Sequence, residues 1–498
     1  MKANNLDELF KKKKTSNISF YLKITIIVFA MLVLFFIPFF ISNLINADKK
    51  SYEIKTNGEQ YGKSNFFKYQ GKVYVINLND GIQEVKNVDI ETFKAFEPEN
   101  YFTQNIALDK NSVYFENVII PDLNPNKLEV IGNGYYTDGT TTYFCSPVSE
   151  RNKNLSVPME ILQSLTYAFS KSKRAQDYIY PYRKVETDKK ITIQDFSFFA
   201  TDGEKVYYKG EVLENADLNT LKSVDGYNEY FADKANVYYQ SKLLPIKNSG
   251  ELMVVSTEQG DEFLYDEANG YVFIEDYSFD REKAPYKVIG NNGNHLYNLA
   301  FVNNEGIYYY DDQEKKQLKA GDNIFIGNIE EISPNIFTDN KNIYYFHAYD
   351  VWKNYKNGGR VLFSRNTEIY YLDKKDGWEK VKDIRSGIIG AIWKKGNRYY
   401  YFDNLGIFQL IDNVIYEIRD KETLEYLLNY NEGSSKIGEL IENGKLIKIE
   451  GEKKMEIVVK HKNARITMAK YSKIFLAIVI IASIIIRLLK GLRNAKKF

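Results

Sequence analysis

The stretch DGEKVYYKGEVLENADLNTLKSVDGYNEYFADKANVYY, residues 202–239, decides the fold class of this chain. It holds two copies of one pattern, in which an aspartate precedes a Val-Tyr-Tyr run by four residues. β-Branched and aromatic residues favour strands, whereas Asp and Gly at the opening favour a tight turn. The pattern predicts β-hairpins separated by short connections.

This pattern recurs along the middle of the chain with a unit of about 32 residues, once skipped copies are allowed for. Strict copies begin 29, 64, 31 and 106 residues apart, and looser copies begin at Asn303, Arg365 and Lys394. An aspartate at this place bonds the backbone of its own turn, so we interpret the aspartates as structural turn residues rather than metal ligands. The strict copies are DKNSVYF, DGTTTYF, DGEKVYY, DKANVYY and DNKNIYY, which begin at Asp109, Asp138, Asp202, Asp233 and Asp339.

A second element lies between hairpins and reads DIETFKAF at Asp89 and DLNTLKSV at Asp217, with DLNPNKLEVI at Asp122 as a longer form. An aspartate before a short polar step predicts a capped turn that leads into a further strand. Eleven Asn-Gly and Asp-Gly pairs also occur in the chain. Such pairs favour type I′ hairpin turns, which need positive φ at both central residues. The middle of the chain is therefore predicted to be mostly β.

The DKN…VYY hairpin, followed by the D-[LI]-x-T-[LF]-K element, resembles the DKNYY repeat family of bacterial surface proteins. The best matches run from Asp89 to Pro245, and weaker copies continue to about Phe402. That family has no established activity. The resemblance therefore implies a repeat architecture and brings no catalytic residues.

Adjacent aromatic residues such as Tyr207 and Tyr208 point to opposite faces of a strand, so both faces of each small sheet must be covered. Sheets stacked in a propeller or a solenoid meet this condition. A ring also brings its first and last strands together, which suits a domain anchored at both ends. We therefore predict a β-propeller-like ring of about seven to nine small blades, with an open β-repeat solenoid as the alternative.

Two apolar segments predict an N-terminal and a C-terminal transmembrane helix on either side of this array. Residues 24–41 are almost entirely apolar and, with their extension, can cross a hydrocarbon core of about 30 Å. A cleaved signal peptide is the competing interpretation. The second run, residues 474–486, needs Arg487 and Lys490 at the interface to complete a span, and an interfacial or buried helix competes with it. The predicted spans are residues 24–46 and 471–490.

Charge is divided unevenly between the ends and the middle of the chain. The first 23 residues carry a net charge of +4 and residues 487–498 carry +5, so the total of +1 leaves −8 for the rest. Basic flanks stay in the cytoplasm under the positive-inside rule, which places the acidic middle outside the cell membrane. The predicted order is a cytoplasmic tail, a span, an extracytoplasmic β-repeat domain, a second span and a tail, with boundaries 1–23, 24–46, 47–470, 471–490 and 491–498.

One segment inside the array has a helical pattern instead. Ser156 suits an N-cap and Pro158 suits the first turn, and apolar residues from Ile161 to Phe169 fall on one helical face. Residues 156–178 are therefore predicted to form a helical insertion. It either packs across the sheets or binds a partner.

Composition and motifs exclude several classes of function. Lys+Arg 67 against Asp+Glu 66 argues against nucleic-acid binding. One cysteine excludes a disulfide framework, and three separated histidines give no metal-ligand spacing. The sequence contains no phosphate-binding loop, zinc-protease motif or serine-hydrolase motif. No catalytic residue, metal or other cofactor is predicted.

Aromatic residues are concentrated in the later part of the array, where all three tryptophans lie within 42 residues. Core packing explains such a group, and a stacking surface for a flat ligand or a protein anchor is the functional alternative. The candidate binding residues are Tyr349, Trp352, Tyr355, Trp378 and Trp393.

These observations lead to a functional hypothesis. The chain is expected to be a membrane-tethered binding or scaffolding module of the cell envelope, with the lipid bilayer and an envelope glycan or envelope protein as partners. The alternative is an envelope hydrolase in which carboxylates from distant units converge at the centre of the ring. Signalling across the membrane is disfavoured because the tails are too short to hold a cytoplasmic domain.

Overall fold

In a computed structural model, short antiparallel strands make up most of the regular secondary structure of the described residues. The chain divides into two compact units, Met1–Leu221 with Gln240–Leu243, and Lys222–Tyr239 with Leu244–Phe498. The structure describes residues 50–77, 81–96, 103–152, 154–156, 159, 163, 178–193, 198–226, 229–290, 296–354, 359–406 and 411–461.

The described part of the first unit begins with a helical segment, residues 50–57, and continues as four sheets of four strands. In three of these sheets the strands are neighbours in chain order, and in the third sheet along the chain the order is β14-β11-β10-β9. The strands of the four sheets are β1 (Glu59–Gln60), β2 (Phe66–Tyr69), β3 (Lys72–Asn77) and β4 (Gly81–Val85); β5 (Lys94–Ala95), β6 (Ile106–Leu108), β7 (Val113–Phe115) and β8 (Val118–Ile120); β9 (Glu129–Gly132), β10 (Tyr135–Thr137), β11 (Thr142–Cys145) and β14 (Tyr182–Lys184); and β15 (Thr192–Ile193), β16 (Phe199–Thr201), β17 (Val206–Tyr208) and β18 (Glu211–Leu213). A 3-10 turn, Pro125–Lys127, precedes β9, and a two-stranded sheet pairs β12 (Glu150–Arg151) with β13 (Tyr178–Ile179).

Three more four-stranded sheets follow, each again in chain order. They are β19 (Lys222–Ser223), β20 (Tyr230–Ala232), β21 (Asn236–Tyr239) and β22 (Lys242–Lys247); β23 (Leu252–Ser256), β24 (Glu262–Asp266), β25 (Tyr271–Ile274) and β26 (Tyr277–Ser278); and β27 (Lys287–Ile289), β28 (Ala300–Asn303), β29 (Gly306–Asp311) and β30 (Lys316–Gly321). A 3-10 turn, Arg281–Lys283, lies between the last two sheets.

Two five-stranded sheets complete the described part of the second unit. The hairpin sheet has the order β31 (Glu330–Ser333), β32 (Ile336–Thr338), β33 (Asn342–Asn354), β34 (Arg360–Lys374) and β40 (Glu452–Lys460). The final sheet has the order β35 (Trp378–Ile384), β36 (Gly390–Lys395), β37 (Arg398–Asp403), β38 (Ile415–Ile418) and β39 (Leu446–Lys448). Between β38 and β39 lie two helices, α1 (Lys421–Leu428) and α2 (Ser435–Glu442).

The central strands of the small sheets are buried on both faces, as paired aromatic residues predict. Tyr207 and Tyr208 expose 0% and 3% of their surface, and the incoming strand contributes Phe199 at 0%. Successive sheets within a unit share apolar clusters. Phe115 of β7 packs with Tyr136 of β10, for example, and the sheets are stabilised face to face by this burial.

The predicted fold class, a β-propeller-like ring or an open β-repeat solenoid with a transmembrane helix at either end, is wrong. The described residues form a mostly-β series of separate antiparallel sheets with a few short helices. Strands β33 and β34, 13 and 15 residues long, join β40 in a five-stranded sheet, so the described sheets are not a series of equal small blades.

The flanking membrane helices find no support in the described ranges. None of the helices there is both long enough and apolar enough to cross a bilayer. The predicted spans, 24–46 and 471–490, lie outside the described residues, as do the tails 1–23 and 491–498. Nearly all of the predicted helical insertion, 156–178, lies outside them too, so the proposed domain boundaries stay predictions.

Candidate functional site

The five repeat aspartates share one turn geometry. In the copy at Asp109, carboxylate Oδ1 accepts the backbone N–H groups of Asn111 at 2.7 Å and Ser112 at 2.8 Å. The same two bonds, from the second and third residues after the aspartate, form at Asp138, Asp202, Asp233 and Asp339. Each aspartate thus holds its own turn closed, which is the role that short polar side chains take in such turns.

The second carboxylate oxygen links the motif aspartate to the motif tyrosine. The Tyr207 hydroxyl donates to Asp202 Oδ2 at 2.7 Å, and the equivalent tyrosine hydroxyl donates to Asp109, Asp233 and Asp339. Burial tends to raise the pKa of Asp138, but the N–H donors of Thr141 and Asn124 outweigh it and lower that pKa to about 2. Asp138 is therefore an ionised acceptor at neutral pH.

Replacing Tyr207 with phenylalanine tests the contribution of this hydroxyl. The ring stays in place, but the bond to Asp202 is lost, so we expect a loss of about 1–2 kcal/mol in the free energy of unfolding. Thermal unfolding followed by circular dichroism should show a midpoint lower by about 3–6 °C. Tyr52→Phe is the control because Tyr52 is 71% exposed. An equal midpoint in both variants would contradict the expected contribution.

The structure separates the predicted aromatic binding residues into different environments. The rings of Trp378 and Trp393 both lie on Phe402, with centroids 5.7 and 5.2 Å from its ring centre, in the core between the hairpin sheet and the final sheet. Trp352 is 48% exposed near the end of β33. Tyr349 lies on β33 and is half-buried, and Tyr355 lies outside the described residues.

Tyr349 lines a pocket of about 190 Å³ between the hairpin sheet and the final sheet, which we call the hairpin pocket. Alternation along β33 and β34 places every second side chain on its wall, because successive residues of a strand face opposite ways. The final sheet supplies the facing wall. The lining residues are Tyr345, His347, Tyr349, Glu368, Tyr370, Asn413, Lys448 and Glu450.

Glu368 is the hydrogen-bonding centre of this wall. Its side chain is only 9% exposed, and its carboxylate accepts Lys453 Nζ at 2.5 Å, the Tyr370 hydroxyl at 2.6 Å and the Tyr349 hydroxyl at 3.1 Å. Burial tends to raise the pKa of Glu368, but the bonds from Lys453 and Tyr370 prevail and lower it. Glu368 is therefore a fixed anion with its charge compensated by Lys453.

Aromatic rings stack around this carboxylate. Tyr345 and Tyr370 are nearly parallel, with ring centroids 5.0 Å apart and an interplanar angle of 6°. His347 stacks on Tyr349 with centroids 5.4 Å apart. Burial lowers the pKa of His347, although nearby Glu368 opposes the shift, so the imidazole is neutral at pH 7. The wall offers a flat ring surface beside neutral hydrogen-bonding groups.

Sequence reasoning found Tyr349 but missed Glu368, His347 and Asn413. The alternation in YYFHAY and EIYY could have placed His347 and Glu368 on one sheet face. No sequence signal joins Asn413 to them, because it lies in the connection that leads into β38 of the final sheet. Within the described ranges, no group of three or more His, Cys, Asp and Glu side chains is arranged to hold a metal ion.

The fold and the aspartate turns define a β-repeat protein of small antiparallel sheets. The model of the DKNYY family matches residues 66–242, so the resemblance to this family is confirmed over that segment. Four of the five strict repeats lie within it, whereas the hairpin pocket lies beyond it. No curated protein and no solved structure matches the chain.

Proposed function

We propose that this protein is a binding module of the bacterial cell envelope with its β-rich middle outside the cell. The hairpin pocket is the observation that carries the proposal. It is concave, aromatic on one wall and lined with a small number of oriented polar groups, which is the usual character of a ligand site. The extracytoplasmic location is supported by the acidic middle between two basic ends.

A hydrolase is the less favoured function. Carboxylates were expected to converge at the centre of a ring, and that ring is not the fold of the described residues. Glu368 also suits proton donation poorly because its pKa is lowered, whereas a general acid needs a raised one. Glu450, across the pocket, is paired with Lys448 at 3.1 Å. These two carboxylates serve better as hydrogen-bond acceptors for a ligand.

Co-sedimentation of the tagged full-length chain with bacterial envelope fractions tests the proposed function. We expect the chain to pellet with envelope material, and Tyr349→Ala to reduce the bound fraction at least about fivefold, a change of about 1 kcal/mol. Tyr52→Ala is the control because this exposed residue lies far along the chain from the pocket residues. Absence of binding to every fraction would contradict the proposal.

Protease treatment of intact cells tests the location separately. We expect external protease to cleave the middle of the chain without permeabilisation. A middle that is protected in intact cells and cleaved after permeabilisation would contradict the extracytoplasmic location. This result is independent of which ligand the hairpin pocket binds.

A further inference from the structure

We infer that the ligand of the hairpin pocket is a single neutral sugar ring, presented as one residue of an envelope glycan. This inference rests on the proposed binding function and specifies the chemistry of its ligand. Three properties of the pocket lead to it: its volume, the pairing of its charges and the chemical groups on its walls.

The volume selects a small ligand. At about 190 Å³, the pocket is smaller than the roughly 300–1,000 Å³ of sites that enclose drug-sized molecules. It equals the liquid volume of about six water molecules. One six-membered ring with its hydroxyl groups fits this space, whereas a dinucleotide or a folded peptide segment does not.

The charges select a neutral ligand. Each charged side chain that lines the pocket already has an opposite partner: Glu368 Oε1 and Lys453 Nζ are 2.5 Å apart, and Lys448 Nζ and Glu450 Oε1 are 3.1 Å apart. Lys453 also bonds Glu456 at 2.9 Å. A cationic ligand would have to displace Lys453 from Glu368, whose side chain is only 9% exposed, and an anionic ligand would face the carboxylates of Glu368 and Glu450. A neutral ligand gains hydrogen bonds without that cost.

The wall chemistry selects a hydroxyl-rich ring. The stacked His347 and Tyr349 rings provide a flat surface for the C–H face of a sugar, while Glu368 accepts from ligand hydroxyls at the edge of that surface. Neutral His347 and the Tyr349 hydroxyl can each exchange a hydrogen bond with a further hydroxyl. A purely apolar ring would make none of these additional hydrogen bonds, and so would be bound less well.

Titration of the full-length chain with soluble sugars tests the inference. The neutral probes are glucose, galactose and N-acetylglucosamine, and the charged comparators are glucuronate and glucosamine. We expect at least one neutral sugar to bind with a dissociation constant of about 1 mM, as suits a ligand of this size, and the charged forms to bind at least about tenfold more weakly. Isothermal titration calorimetry gives the affinities.

Two variants assign the binding to the pocket. Tyr349→Ala should weaken the neutral sugar at least about tenfold, and Tyr349→Phe, which keeps the ring, should weaken it by a smaller factor. Tyr52→Ala should bind as the unmodified chain does. Sugar binding that is unchanged in both Tyr349 variants, with an unchanged thermal midpoint, would overturn the inference.

The outcome is distinguishable from failure of the proposed function. If the chain pellets with envelope material but no neutral sugar binds or competes, the ligand class is wrong and the binding function stands. Stronger binding of glucuronate or glucosamine than of the neutral sugars would also overturn the ligand class. If neither envelope material nor sugar binds, both proposals fail together.

Discussion

Replacement of Asp109 by alanine is expected to lower the free energy of unfolding of the first unit by about 3–5 kcal/mol. The aspartate is fully buried, and its carboxylate accepts four hydrogen bonds, from the N–H groups of Asn111, Ser112 and Asp89 and from the Tyr114 hydroxyl. Alanine leaves the three N–H groups without this acceptor, and the Tyr114 hydroxyl keeps only its bond to the Asn87 carbonyl at 3.0 Å. Each unsatisfied buried donor costs about 1–3 kcal/mol, so the combined loss is among the largest that a single substitution in this chain should produce.

Urea unfolding followed by far-ultraviolet circular dichroism measures this loss, and hydrogen exchange at the amides of Asn111 and Ser112 localises it. Asp188→Ala is the matched control because Asp188 lies in the same unit and is exposed. Asp109→Asn should fall between the two, since one oxygen can still accept the turn N–H groups while the new amide opposes the N–H of Asp89. If Asp109→Ala lowers the free energy of unfolding by less than about 1 kcal/mol, the expected contribution of the four hydrogen bonds to stability is contradicted.

The same bonds explain why the repeat could be predicted from sequence. Every contact that defines it is local: the aspartate reaches the second and third residues ahead, and the tyrosine five residues ahead reaches back. The looser copy at Asn303 keeps this geometry, because its Oδ1 accepts the N–H groups of Glu305 and Gly306. The looser copy at Arg365 does not, since arginine has no acceptor, and Arg365 lies in the middle of β34.

Turn type was predicted less well than turn position. Asn133 and Gly134 both have positive φ, 49° and 85°, as a type I′ turn requires. At the Asp-Gly pairs of the repeat only glycine does, with φ of 88° at Gly139 and 89° at Gly203. The aspartate there stays outside the left-handed region because its side chain is used to cap the turn. An Asp-Gly pair can therefore form either a type I′ turn or a turn that the aspartate side chain caps, and the local sequence does not distinguish the two.

The hairpin pocket depends on contacts that no local pattern contains. The pairing of β34 with β40 brings Tyr370 beside Lys453, and the Lys453 ammonium then compensates Glu368. Glu368 and Lys453 are 85 positions apart in the chain. The aromatic concentration includes Tyr349, but it groups with it Trp393, which is buried in the core, and Trp378, which packs against that core. Strand alternation was the better guide to this site than aromatic density.

The pKa of Asp403 is shifted in the opposite direction to those of Asp109, Asp138 and Asp202, which are lowered. Burial raises its pKa to about 6, although the N–H groups of Leu405 and Gly406 and the Tyr401 hydroxyl act against that shift. The geometry favours the protonated acid. The Tyr401 hydroxyl has one hydrogen but two acceptors, the Ile389 carbonyl at 2.6 Å and Asp403 Oδ1 at 2.7 Å. A proton on Oδ1 satisfies both contacts at once.

Asparagine at position 403 should therefore stabilise the protein at pH 8, by about 2–3 kcal/mol. With a pKa of 3.8 when unfolded and about 6 when folded, Asp403 destabilises the folded state by about 1.4 kcal/mol for each unit of pKa difference, which comes to about 3 kcal/mol once the pH is above 6. That cost disappears as the pH falls from 6 towards 4, so stability at this site rises on acidification. In Asp403→Asn the amide donates to Tyr401 at every pH, and its oxygen still accepts the Leu405 and Gly406 N–H groups.

Urea unfolding of Asp403→Asn and the unmodified chain, repeated between pH 4 and pH 8 with tryptophan fluorescence as the probe, measures this difference, since all three tryptophans lie in the second unit. The gain should be largest at pH 8 and close to zero at pH 4. Asp138→Asn is the matched control of opposite sign. Because the pKa of Asp138 is lowered to about 2 in the folded state, its ionised form stabilises the protein above pH 4. Circular dichroism should therefore show that Asp138→Asn lowers the free energy of unfolding at neutral pH. Equal pH dependence in Asp403→Asn and the unmodified chain would show that Asp403 is already ionised without cost, and that the shared proton with Tyr401 does not exist.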